Sequence, residues 1–222
     1  ALLFIMTGSI PKNDKYFLNK YALANFLKIS FTDEPVFGRK LEEVCPMKSP
    51  RVPEFVRACV EEIEKKENMC TDGLYRASGN LSQVQKIRLE VSIDQNNLSV
   101  IANNTDIHVL TGSLKLFFRE LKEPLIPCSM FDRVLSACCN NLKKKNKNLL
   151  TYFISRVTQY SEHNRMHTAN LAIVFGPTLL WAPAEQAHNI AIDCIQQNNV
   201  VEILLNEFKD IFSEDTKGKN KA

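Results

Sequence analysis

The chain has 222 residues, 45% of them hydrophobic and 24% charged, the balance of an ordinary globular protein with enough length for one well-buried domain. Lys and Arg number 28 against 25 Asp and Glu, a net charge of +3, which is too mild to make nucleic acid or a membrane surface the main partner. Seven cysteines, with no C-x-x-C pair and mostly inside apolar helical patterns, read as reduced thiols behaving as small hydrophobes and not as a disulfide framework.

Residues 1–6 form an apolar run that is far too short to span a bilayer and has no basic region before it. Residues 16–29 could form one helix, with Phe17, Tyr21 and the stretch from Leu23 to Leu27 apolar. Residues 1–35 are therefore expected to be an N-terminal extension or linker. The main domain is expected to start at Val36-Phe37-Gly38 and to run to residue 213, with a basic tail over residues 214–222.

From there the periodicity is helical nearly throughout. Pro53 opens a helix whose apolar stripe is Phe55, Val56, Cys59, Val60 and Ile63. A second follows Gly79, with Leu81, Val84, Ile87 and Val91 on one face. A third carries Leu110, Leu114, Phe117 and Leu121 and is stopped by Pro124. A fourth holds Phe131, Val134, Leu135 and Cys138, and a fifth Leu149, Leu150, Phe153, Ile154 and Val157. A sixth, over residues 171–175, ends at Gly176-Pro177, and the last, around residues 190–212, carries Val200, Ile203, Leu204, Phe208 and Ile211. No segment alternates strictly and no repeat is visible. The pattern predicts an all-α fold, a single helical bundle with a short N-terminal extension.

Three stretches carry chemistry. In Asp72-Gly73-Leu74-Tyr75-Arg76-Ala77-Ser78-Gly79-Asn80, glycines flank an arginine between two amphipathic helices, and Ser78 or Asn80 can cap the helix that follows. On its own this reads far more readily as a solvated or helix-capping arginine than as a catalytic one. On the third helix Gly112, Lys115, Arg119 and Lys122 form a polar stripe. Lys115 and Arg119 are like charges at i, i+4, so the stripe invites an acidic partner or an internal salt bridge. Asn170 precedes an apolar run, in a place suited to capping, a buried backbone hydrogen bond or partner contact. His163 and His167 share the i, i+4 spacing of two metal ligands, but no H-E-x-x-H and no third ligand accompanies them, so no metal is expected.

Taken together, Gly73-Leu74-Tyr75-Arg76-Ala77-Ser78-Gly79, then Leu114-Lys115-Leu116-Phe117-Phe118-Arg119-Glu120-Leu121-Lys122-Glu123-Pro124-Leu125, then Asn164-Arg165-Met166 running into Asn170-Leu171-Ala172-Ile173-Val174-Phe175-Gly176-Pro177, resemble the RhoGAP domain family in order and spacing. Phe37-Gly38 and Val52-Pro53 resemble its entry. The ending from Asn189-Ile190-Ala191 to Gln197-Asn198-Asn199-Val200-Val201-Glu202 is similar to the subgroup in which a lipid-binding PH domain precedes the GAP domain. The stretch between Cys138-Cys139 and Leu149-Leu150, with four lysines, is shorter than the family usually has.

The resemblance implies a GTPase-activating protein for a Rho-family small GTPase (Rac, Cdc42 or Rho) in its GTP-bound state. Arg76 would be the arginine finger supplied in trans. Lys115 and Asn170 would contact the GTPase, and Gly73, Ser78, Gly79 and Arg119 would support the finger loop. The chain would complete the partner's active site, with no catalysis of its own. No G-x-x-x-x-G-K-[ST] loop occurs; Thr111-Gly112-Ser113-Leu114-Lys115 is only a fragment of one inside a helical stripe. GTP and Mg²⁺ would therefore arrive on the partner, and the chain would need no cofactor of its own. The implied location is cytoplasmic, with membrane contact only through other domains. The alternative is a non-catalytic GTPase-binding module of the same fold.

Overall fold

A computed structural model describes residues 34–48, 51–96, 98–103, 106–126, 154–181 and 190–206. The chain divides into two compact units, Ala1–Glu34 and Pro35–Ala222, and the described helices belong to the second. The helices expected over residues 16–29 and 131–138, the start of the one at 149–157, the loop at 140–148 and the basic tail lie outside the described residues. No strand occurs among the described residues, and none of their helices is long and apolar enough to cross a membrane.

Five helices of ten residues or more are found among the described residues: α1 (Glu54–Ile63), α2 (Leu81–Ile93), α3 (Ile107–Arg119), α4 (Thr168–Leu179) and α5 (Ile190–Asn206). Pro53, with its φ fixed near helical values, precedes α1, and the whole stripe Phe55, Val56, Cys59, Val60 and Ile63 is buried. Asn80 caps α2, its side chain accepting from the Gln83 N–H at 3.2 Å. Val84, Ile87 and Val91 face inward, but Leu81 opens the helix at its first position and stays 71% exposed.

Helix α3 is the centre of the bundle, with α1, α2 and α4 packed on it. Its buried surface is wider than the expected stripe, taking in Ile107, Val109, Leu110, Thr111, Ser113, Leu114, Phe117 and Phe118. The two buried hydroxyls turn back onto their own helix, Thr111 Oγ1 donating to the His108 carbonyl (3.1 Å) and Ser113 Oγ to that of Val109 (2.9 Å). Phe117 meets Phe37, Phe55 and Phe118 at centroid separations of 6.0, 5.7 and 5.2 Å, two of the three edge-to-face.

Helix α4 does not end at Gly176-Pro177. It begins at Thr168, three residues before the expected start, and continues through Pro177 to Leu179. A proline ring crowds the residue before it, and here that residue has no Cβ. The turn is closed around the missing N–H by Thr178 Oγ1 donating to the Val174 carbonyl (2.9 Å) and by the Leu180 N–H donating to that of Gly176 (3.0 Å). Gly176 also admits α5: a Cβ there would lie 2.3 Å from Asn198 Oδ1 and 3.0 Å from the Asn198 nitrogen.

Candidate functional site

The Asp72–Asn80 stretch forms an irregular loop ahead of α2, and it is fixed at its base, its middle and its far end. At the base, Gly73 adopts φ +64, and its N–H donates to the Asn164 carbonyl at 2.8 Å. The Gly73 carbonyl accepts from the N–H groups of Arg76 (2.8 Å) and Ala77 (2.9 Å), folding the loop back on itself. At the far end Gly79 lies against the first turn of α3, where a Cβ would come within 2.5 Å of the His108 backbone. Gly73 therefore supplies a left-handed backbone and Gly79 a close approach.

The middle is held by Tyr75, which takes φ +71 although it is not glycine. A bulky residue keeps that conformation only where its surroundings over-determine it. Its ring is buried to 2% exposure and meets Phe175 of α4 edge-on at 5.0 Å. Burial pushes the phenol pKa up, with Cys59 and Glu64 nearby adding to the effect, so the ring stays neutral. Its carbonyl accepts a hydrogen bond from Lys115 Nζ of α3 at 2.5 Å. Arg76 comes next. Its side chain is exposed and makes no hydrogen bond or ion pair with any described residue.

Within the chain the other candidate residues make contacts that the sequence reading does not specify. Lys115, expected at the partner, donates to the Tyr75 carbonyl in the Arg76 loop. Arg119, expected to brace that loop, donates from Nε to Thr178 Oγ1 of α4 at 3.2 Å and so ties the end of α3 to the last turn of α4. Asn170 lies in the first turn of α4, half-buried, with Nδ2 donating to the Arg165 carbonyl at 3.0 Å. Ser78 is exposed with no hydrogen bond to a described residue, and the capping falls to Asn80.

Two residues with no role assigned from sequence prove central. Asn164 is fully buried; Nδ2 donates to the carbonyls of Met69 (2.9 Å) and Val157 (3.0 Å), and Oδ1 accepts from the Met166 N–H (2.8 Å). Its backbone carbonyl is the anchor for Gly73. Arg165, at φ +57, pairs fork-to-fork with Asp72. The Asn164-Arg165-Met166 block marks the place in the sequence, but helical periodicity says nothing about residues between helices.

The RhoGAP domain profile matches residues 53–184, more than half of the chain. The chain belongs to the RhoGAP domain family. Rho GTPase-activating protein 15 of Mus musculus is 34% identical over 90% of this chain, and the WW domain-containing protein tag-325 of Caenorhabditis elegans is 45% identical over 67% of it. The chain spans 45% and 20% of those two proteins. The crystal structure of human Rho GTPase activating protein 15 superposes with a TM-score of 0.69 at 36% identity, covering 86% of this chain and 98% of that one. The RhoGAP match runs through both the Arg76 loop and α4, and so contains the whole of the site.

This RhoGAP architecture also shifts the titration of Lys115. Burial, helped by the charge of Arg119, pushes its pKa down to about 8. The folded value lies below the unfolded one, so the unfolded chain holds the extra proton. The penalty for the charged lysine is complete below about pH 8 and is relieved as pH rises towards the unfolded value near 10.4. Urea midpoints of the wild type and Lys115→Met should therefore diverge between pH 7 and about 9.5, with the wild type gaining relative to the variant. A difference that stays constant across that range would mean that Lys115 titrates as an ordinary surface lysine.

Proposed function

We propose that this domain accelerates GTP hydrolysis on a Rho-family small GTPase (Rac, Cdc42 or Rho) in its GTP-bound state, with Arg76 as the arginine finger. One observation carries the reading: an exposed guanidinium with no hydrogen bond or ion pair to a described residue, on a loop whose backbone is fixed on either side of it. A finger must deliver a planar, permanently charged fork to the charge that develops on a transferring phosphoryl group. A fixed backbone removes the ordering cost of the loop, and an unpaired side chain needs no internal partner broken before it enters the site.

In this reading Lys115 acts on the loop through the Tyr75 carbonyl, and Gly73 and Gly79 set the loop's path. Asn170 lies on the docking side. Ile173, one turn further along α4 and 60% exposed, sets an apolar surface beside it. GTP and Mg²⁺ belong to the partner. The domain works in the cytoplasm, and any membrane contact comes through other parts of a longer protein.

The test is single-turnover hydrolysis by GTP-loaded Rac, Cdc42 and Rho proteins, each with and without the domain. Acceleration of about 10³–10⁵ is expected on at least one. Binding without acceleration on all three would establish the non-catalytic module instead.

A further inference from the structure

The finger has a carboxylate of its own close by. Asp72 lies four residues before Arg76, and both side chains are exposed. A Cβ on Gly73 would sit 3.5 Å from Arg76 Nη2 and 3.6 Å from its Nε, so the guanidinium lies back over the residue next to Asp72. An arginine this near a free carboxylate would pair with it. That pair would compete with a phosphoryl group for the same guanidinium.

The Asp72 carboxylate is already taken. Arg165 reaches it from the turn before α4, Nε donating to Oδ1 and Nη2 to Oδ2. A bidentate fork engages both oxygens at once, which offsets the carboxylate's charge and leaves a second arginine only the remaining lone pairs. Arg165 is itself well placed: its backbone is left-handed, its N–H donates to the Ser161 carbonyl at 2.9 Å, and its carbonyl accepts from Asn170 Nδ2 at 3.0 Å. It also follows Asn164, which anchors Gly73.

We infer that Arg165 is a positioning residue for the finger: by occupying Asp72 it keeps Arg76 from folding back into an internal ion pair. The electrostatics agree. The Asp72 carboxyl is held below its usual range first by the hydrogen bonds from Arg165, and the charge of Arg76 adds a smaller pull, so the attraction exists and Arg165 outweighs it. The inference rests on the reading of Arg76 as the finger.

The experiment is a double-mutant cycle of Arg165→Gln and Asp72→Asn, read as the single-turnover hydrolysis rate at saturating domain, with Arg76→Ala in parallel. Arg165→Gln frees Asp72 and should slow hydrolysis about two- to fivefold, the range of an exposed ion pair. The deficit should shrink on going to about 0.5 M salt, which screens such a pair. Adding Asp72→Asn should restore the rate, because the competing carboxylate is gone. A lost structural contact could not be repaired by removing its other half.

The inference is overturned if Arg165→Gln runs at the wild-type rate, if the double variant is as slow as Arg165→Gln, or if Asp72→Asn speeds both backgrounds equally. Should Arg165→Gln fold poorly, Arg165→Asn, which also removes the charge and suits the left-handed backbone, replaces it in the cycle under the same criteria. Arg76→Ala tests the finger separately: full acceleration without Arg76 would defeat the finger reading itself, whatever the cycle shows.

Discussion

Replacing Arg76 with alanine should remove about a thousandfold or more of the acceleration while leaving affinity for the GTP-bound partner within a few-fold. The guanidinium has no structural partner among the described residues, so its loss should not disturb the fold. Its contribution arises where charge spreads over the transferring phosphoryl group, an interaction much stronger in the transition state than in the ground state. Arg76→Lys should be nearly as poor, since an ammonium is a point charge and cannot reproduce the planar fork. The same logic applies to a stalled complex. Aluminium fluoride added to the GDP-loaded partner stands in for the transferring phosphoryl, and it should tighten binding of the wild type strongly and of Arg76→Ala hardly at all. Stimulated hydrolysis within a few-fold of wild type in Arg76→Ala, or an equal fluoride effect in both proteins, would place the chemistry on another residue.

Asn164→Ala should cost about 3 kcal/mol of stability, or a fall in melting temperature of about 10 °C. The side chain is fully buried and makes three hydrogen bonds, to the carbonyls of Met69 and Val157 and from the N–H of Met166. Alanine leaves two carbonyls and one N–H in the interior without partners, and unsatisfied buried groups cost more than the bond they have lost. Activity should fall too, because the Asn164 backbone anchors Gly73 at the base of the Arg76 loop. Thermal denaturation and hydrolysis measured on one preparation check both. A loss under about 1 kcal/mol would mean that solvent enters and satisfies the three groups.

The helical periods in the sequence read well where a residue sits mid-helix and packs on α3. All five stripe positions of α1 and three of the four on α2 are buried. The failures fall at helix ends. Leu81 has the right spacing but sits in a first turn, where spacing alone does not ensure a neighbour to pack on. Pro177 has the chemistry of a helix stop, but Gly176 before it lacks the Cβ its ring would crowd, and Thr178 and Leu180 close the turn. The site was legible as a glycine-flanked arginine loop, with Lys115, Arg119 and Asn170 named beside it, but not in the contacts these residues make. That Lys115 and not Arg119 reaches the loop depends on where α3 passes Tyr75, a tertiary relation with no local signature. The same holds for Asn164, whose partners lie in three separate segments.

Tyr75 has one more consequence. Surface loops are ordinarily where a chain tolerates added or missing residues. This loop cannot, because the Gly73 N–H, the Tyr75 ring and the Gly79 backbone each meet a fixed point on Asn164, Phe175 and His108. One residue more or fewer between any two of these points would rotate the tyrosine out of its socket and turn the arginine towards the wrong side. The loop is therefore a ruler as much as a support: its length, and not only its composition, sets where the guanidinium arrives.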